Sequence, residues 1–78
     1  MQRKVLVQDV SRLLKKKNKK WRCPVFRYNR MTCIEILDEA QENDIIRYLQ
    51  KEGISVYREN PVHLPKVYSC YASINLMV

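Results

Sequence analysis

The chain has very little glycine and histidine, two residue types that phosphate-binding loops and many catalytic and metal sites use. Its 78 residues include one glycine, Gly53, and one histidine, His63. A single glycine excludes the glycine-rich loop that cradles phosphates in many nucleotide-binding enzymes. No nucleophile and base stand in a recognisable motif, and the carboxylates of residues 35–44 suit the start of a helix. We therefore expect no enzymatic activity, no metal site and no cofactor.

Close cysteine pairs are also lacking. Cys23, Cys33 and Cys70 are widely spaced and odd in number. This spacing indicates neither a disulfide framework nor a zinc site of the Cys-x-x-Cys type. It favours a reducing compartment.

No apolar run approaches the roughly 20 residues that span a bilayer, and the apolar stretch after Met1 is too short for a signal-peptide core. We expect a soluble, intracellular protein. A nuclear location applies only in a eukaryotic cell or host, because residues 15–20, Lys-Lys-Lys-Asn-Lys-Lys, loosely fit a nuclear-localisation patch.

Positive charge is the feature that the chain has in excess. Eleven of its fifteen basic residues lie in the first thirty positions, where Asp9 is the only acidic residue. Like charges this close repel one another, so the segregation predicts an anionic partner. Hydrophobic residues make up 46% of the chain, which favours one folded domain over residues 1–78, with a basic segment at 15–30.

The N-terminal pattern predicts a short strand and then a helix. Val5 begins an alternating stretch, and Asp9 offers an N-cap to a segment in which Val10 and Leu14 recur at helical spacing. The alternative is a single helix over residues 5–17.

A β-hairpin is predicted next. Residues 21–28 are rich in aromatic and branched side chains, although Pro24 favours an edge strand or a bulge. Asn29 and Arg30 then turn the chain into a second strand over residues 31–37.

The second helix, over residues 39–52, has both end signals. Asp38 is the predicted N-cap, with Gln41 in the capping-box position, and Gly53 ends the helix. Its buried stripe is Ile45, Ile46 and Leu49.

The C-terminal third predicts two strands, over residues 54–59 and 68–78, joined by a loop that contains Pro61 and Pro65. The last strand carries no charge after Lys66. An uncharged strand of this length is expected to lie inside a sheet or to pair with a second copy in a homo-oligomer.

The order of elements predicts a small two-layer α+β domain, with a ferredoxin-like β-α-β-β-α-β arrangement and a C-terminal strand. The alternative is a winged-helix type domain, in which the second helix packs beneath a hairpin built from residues 54–78.

The function that these features favour is non-catalytic binding of DNA or RNA, with modest sequence specificity. Lysine and arginine neutralise phosphates, and exposed aromatic rings stack on bases. The candidate contacts are Lys15, Lys16, Lys17, Lys19, Lys20, Trp21, Arg22, Arg27, Tyr28 and Arg30. For Trp21 and Phe26 a role as core anchors is favoured over base stacking, because a small core needs large side chains.

Two other classes of function stay open. A protein–protein or regulatory module would dock its basic face on an acidic protein partner, or its own acidic residues on another copy. A membrane-surface protein would use the segment around Leu13 and Leu14 as a basic amphipathic helix, although its apolar face is narrow.

Overall fold

The structure is a computed structural model and describes residues 2–58 and 66–73. Its elements are β1 (Gln2–Lys4), α1 (Val7–Lys17), β2 (Val25–Tyr28), β3 (Met31–Glu35), α2 (Glu42–Lys51), β4 (Ile54–Tyr57) and β5 (Val67–Ser73). The described part of the chain is thus a small α+β arrangement, as predicted. The predicted proline loop with His63 and the last five residues of the predicted final strand lie outside the described residues.

One antiparallel sheet contains the five strands, and β5 lies at its centre. Ala72 of β5 is opposite both Arg3 of β1 and Ile54 of β4, whereas Cys70 is opposite Thr32 of β3. Strands β1 and β3 therefore follow one another along one edge of β5, β4 pairs with the other edge, and β2 lies beyond β3. Of the two predicted alternatives, residues 67–73 take the interior position. Since both of its edges are paired over residues 69–72, this part of β5 cannot pair with a second copy.

Helix α1 begins before its predicted N-cap. Leu6 is the N-cap residue and provides no side-chain hydrogen bond, while Asp9 lies in the first turn. The predicted capping role of Asp9 is therefore wrong. The predicted order of a short strand and then a helix is confirmed, rather than the single helix over residues 5–17, and the helix buries Val10 and Leu14. Strand β1 also lies before the predicted Val5.

The hairpin forms around the predicted turn. Asn29 and Arg30 have φ values of 49° and 64°, the left-handed conformation that the favoured two-residue hairpin turns require. Regular pairing starts only at Val25, so the first half of the predicted 21–28 strand is irregular. Pro24 lacks an N–H group, but its carbonyl oxygen accepts a hydrogen bond from the Glu35 N–H at 3.0 Å.

The second helix has the predicted ends but a different first turn. The Asp38 side chain accepts a hydrogen bond from the Ala40 N–H at 3.0 Å, which confirms its capping role. A 3-10 turn over Glu39–Gln41 precedes the regular helix, and Gly53 follows its end with a φ of 84°. The predicted capping-box role of Gln41 is wrong, because its side chain bonds to the segment before β2 instead.

Both helices pack on the same face of the sheet. They contribute the buried residues Val10, Leu14, Ile45 and Leu49, and the sheet and its adjoining residues contribute Ile34, Ile36, Ile54, Tyr68 and Cys70. Ile46, predicted to be buried, is half-buried at the edge of this cluster. The outer side of α1 is left facing the solvent.

Candidate nucleic-acid interface

The outward side of α1 borders an open, positively charged groove. Val10 and Leu14 hold the opposite side of the helix in the core. The groove has a volume of about 570 Å³ and is lined by Gln8, Ser11, Arg12, Lys15, Lys16 and Lys19, which we call the α1 groove. Four of its six lining residues are cationic and none is acidic, so it favours a negatively charged ligand.

The sequence prediction found only part of this surface. Lys15, Lys16 and Lys19 lie in the α1 groove as predicted site residues, but Gln8, Ser11 and Arg12 were missed. Helical periodicity could have identified these three residues. Arg12, for example, stands four positions before Lys16 and three before Lys15, a spacing that places side chains on the same side of a helix. The prediction centred on residues 15–20 instead, because lysines are most closely spaced there.

Lys17 lies on a different side of α1. Its Nζ atom is 5.7 Å from the centre of the Tyr48 ring, which belongs to α2. A helix turns by about 100° per residue, so Lys17 cannot share the outward side that carries Lys15 and Lys16. Its charge is directed to an aromatic ring. Lys17 is therefore not one of the α1 groove cations, although the sequence prediction included it.

A defined turn follows α1 at the middle of the lysine run. The Asn18 N–H donates to the Leu14 carbonyl at 3.0 Å, and the Asn18 Oδ1 atom accepts from the Lys20 N–H at 2.9 Å. The Trp21 N–H donates to the Asn18 carbonyl at 3.2 Å. These bonds form an Asx-type turn that presents Lys19 and Lys20 to the solvent.

The next residues are held by the side chain of Gln41. Its Oε1 atom accepts a hydrogen bond from the Arg22 N–H at 2.9 Å, and its Nε2 group donates to the Lys20 carbonyl at 3.2 Å. The Leu37 N–H also donates to the Arg22 carbonyl at 3.2 Å. The backbone of this exposed basic segment is thus fixed on both sides, by the residues that follow β3 and by the turn that leads into α2.

Trp21 is half-buried and borders a second, smaller cavity. Its ring packs against the core and lies 5.6 Å from the Tyr48 ring, between centres. The cavity has a volume of about 120 Å³ and is lined by Ser11, Leu14, Lys15, Asn18, Lys19, Trp21 and Cys23, which we call the Trp21 pocket. Ser11, Lys15 and Lys19 also line the α1 groove, so the two cavities adjoin.

The hairpin divides the remaining predicted residues between two faces. Arg27 is opposite Thr32, in the same row as Cys70, and so belongs to the helix-bearing face. It is exposed and borders a cavity of about 370 Å³ together with Gln8, which extends the basic surface from the α1 groove. Tyr28 is half-buried on the other face.

Three further residues lie in the hairpin or just before it. Arg30 is exposed at the turn, and Arg22 is exposed in the segment before β2. Phe26 is half-buried and paired opposite Cys33, on the face away from the helices. It therefore anchors neither the main core nor the α1 groove.

The acidic residues near α2 have contacts of their own. Glu39 forms an exposed ion pair with Lys66 at 3.3 Å. The Tyr68 hydroxyl donates to the Glu42 carboxylate. Burial, then the hydrogen bond with Glu42 and the charge of Glu42, raise the pKa of Tyr68 to about 12.

The thiols of Cys23 and Cys70 are held in their neutral form. Burial, followed by the charge of Glu35, raises the pKa of Cys23 to about 12. Burial is also the largest cause that raises the pKa of Cys70 to about 12, followed by Cys23 and Cys33. Neutral thiols are poor nucleophiles and poor metal ligands. Within residues 2–58 and 66–73, no three His, Cys, Asp or Glu side chains are grouped as a metal site.

Neither described helix has the length and apolar character needed to cross a bilayer. No protein-family model, curated protein or solved structure matches the chain.

Proposed function

We propose that the chain is a non-catalytic nucleic-acid-binding protein that contacts phosphates through the α1 groove, with modest sequence specificity. One observation carries the proposal: four cations, Arg12, Lys15, Lys16 and Lys19, line one open groove that has no acidic residue in its lining. A chain of phosphates neutralises several neighbouring cations at once and releases its condensed counterions, which drives binding.

The spacing of the cations supports a linear polyanion as the ligand. Arg12 and Lys16 are one helical turn apart, about 6 Å along the axis. Lys15 and Lys19 have the same separation in sequence and line the same groove. The two pairs therefore contact successive charges along a backbone rather than a single anion.

The fixed turn after α1 supports the proposal further. Asn18 and Gln41 hold the backbone of Lys20 and Arg22 before any ligand binds. A rigid segment loses less conformational entropy on binding than a mobile one, so these two exposed cations add to affinity at a lower cost.

For the fold, we propose a variant of the ferredoxin-like arrangement. The order of elements from β1 to β4 fits β-α-β-β-α-β with a further strand. In this variant β5 lies inside the sheet, between β3 and β4. The short β1 pairs with the same edge of β5 as β3 does, at a different part of that strand. The winged-helix alternative has less support, because β4 and β5 belong to the same sheet as the β2–β3 hairpin.

The proposal is tested by titrating labelled single-stranded and duplex DNA and RNA with the chain at several salt concentrations. We expect binding that weakens steeply as salt rises. Polyglutamate serves as the matched control, because it carries negative charge without phosphates or bases and represents an acidic protein partner. Absence of salt-sensitive binding to every nucleic acid, or equally tight binding to polyglutamate, would refute the proposal.

A further inference from the structure

The Trp21 pocket has the size of a single planar ring. Its volume is about 120 Å³, while an engineered cavity of roughly 150 Å³ accepts one benzene ring. It is more enclosed than the α1 groove that it adjoins, and Lys15 and Lys19 line both. A nucleic-acid backbone bound along the α1 groove would thus pass the opening of the Trp21 pocket, which has room for one ring of a base.

The lining of the Trp21 pocket suits a polar aromatic ring. Trp21 provides an aromatic surface, and Leu14 and the neutral Cys23 thiol provide less polar walls. Ser11 contributes a hydroxyl and Asn18 an amide. The Asn18 Oδ1 atom is engaged by the Lys20 N–H, so the Nδ2 amino group is the end that can donate to a ring carbonyl.

Resting on the proposed function, we infer that the chain binds single-stranded nucleic acid and holds one unstacked pyrimidine base in the Trp21 pocket, with the flanking phosphates on Lys15 and Lys19. A base paired within a duplex cannot enter the pocket without leaving its stack, which costs free energy. A purine has two fused rings and is longer than the single ring of a pyrimidine, so a pocket of about 120 Å³ favours the pyrimidine. The ligand class is therefore a pyrimidine-containing single strand.

Trp21 is the only tryptophan of the chain, so its fluorescence reports directly on this pocket. The test adds dye-labelled oligothymidylate, oligoadenylate or the duplex of the two at low salt. Dye anisotropy measures binding, and tryptophan emission in the same titration measures stacking. We expect all three to bind, and only oligothymidylate to quench Trp21 strongly.

Two variants of the outward side of α1 sharpen the test. Ser11→Leu fills the Trp21 pocket without changing charge, and Gln8→Leu is the matched control because Gln8 lines the α1 groove but not the pocket. We expect Ser11→Leu to lose the quench and to bind oligothymidylate about tenfold more weakly, within the range of one base–aromatic stack. Gln8→Leu should keep the quench.

The outcomes separate this inference from the proposed function. Binding of oligothymidylate without a change in Trp21 emission would overturn the pocket assignment and leave the proposed function standing. An equal quench by the duplex, or a quench that survives in Ser11→Leu, would also overturn it. Absence of binding by all three nucleic acids at low salt would overturn both. The comparison of oligothymidylate with the duplex uses the unaltered chain, so it does not depend on the folding of a variant.

Discussion

The side chain of Gln41 is hydrogen-bonded to the backbone of Arg22, with 2.9 Å between the Gln41 Oε1 atom and the Arg22 nitrogen. Through its Nε2 group Gln41 also binds the Lys20 carbonyl at 3.2 Å. A residue beside the acidic start of α2 thus fixes the most basic segment of the chain. The fold therefore holds the backbone at Lys20 and Arg22 in a fixed position.

Replacing Gln41 by alanine should release this segment. Two solvent-exposed hydrogen bonds are lost, so we expect the free energy of unfolding to fall by about 1 kcal/mol. Hydrogen exchange of the Arg22 amide should accelerate, since its acceptor is removed. Urea denaturation and amide exchange measure the two effects. Gln50→Ala is the control, because Gln50 is exposed in the last turn of α2, whereas Gln41 stands before the first turn of that helix. Unchanged protection of the Arg22 amide would contradict this role.

Lys16 and Lys17 should differ in their effect on nucleic-acid binding although they are neighbours. Lys16 lines the α1 groove, whereas Lys17 lies over the Tyr48 ring. We expect Lys16→Gln to reduce the slope of log affinity against log salt by about 0.7 for a single strand, the contribution of one phosphate contact. Lys17→Gln should leave that slope unchanged. Equal changes in the two variants would show that charge alone, and not position, governs binding.

Much of this arrangement could be predicted from the sequence, and the reasons for the failures are physical. Asp38 and Gly53 act through the chain immediately beside them, so their roles at the ends of α2 follow from local pattern. The turn at Asn29 and Arg30 is local in the same sense. The lack of charge in β5 predicted either a position inside the sheet or pairing with a second copy, and the pairing with β1, β3 and β4 decides for the first.

The contacts that shape the site are not local. Gln41 satisfies a local capping pattern but bonds to residues 20 and 22, and nothing in the sequence marks that choice. Helix α1 begins at Val7, two residues before Asp9, so the capping preference of Asp9 does not set its start. The separation of Lys17 from Lys16 depends on where Tyr48 lies, and this requires the tertiary structure.

The hairpin turn carries strain that a glycine would remove. Arg30 has a φ of 64°, a conformation that costs residues with a Cβ atom about 1 kcal/mol relative to glycine. We expect Arg30→Gly to be more stable than Arg30→Ala by about that amount in urea denaturation. Both variants remove the same charge, so charge cannot explain the difference. Equal stability of the two would argue against the left-handed turn.

Stability should fall in alkaline solution partly through Tyr68. Burial and the contact with Glu42 raise the pKa of Tyr68 from 10 to about 12 in the folded chain. Between these values the unfolded chain binds fewer protons, so the free energy of unfolding falls as pH rises, whereas below pH 10 the stabilisation is fully present.

The Tyr68→Phe variant isolates this contribution. Cys23 and Cys70 have raised pKa values in both proteins, so their effects cancel in the comparison. We expect Tyr68→Phe to be less stable than the unaltered chain at neutral pH, because Glu42 loses its donor. Within the alkaline window from pH 10 to about 12, the free energy of unfolding of this variant should fall by less than that of the unaltered chain. Parallel losses, measured as urea midpoints across that window, would contradict the assignment.

The most direct test of the α1 groove compares two triple variants of equal charge. In one, Arg12, Lys15 and Lys19 are replaced by glutamine; in the other, the exposed residues Lys17, Arg47 and Lys51 are replaced in the same way. The affinity for single-stranded nucleic acid is measured over a range of salt concentrations. The first variant loses three phosphate contacts, so the account predicts that its slope of log affinity against log salt falls by about 2 and that most of its affinity at low salt is lost. The second variant should bind nearly as the unaltered chain does. Equal losses in the two variants would contradict it.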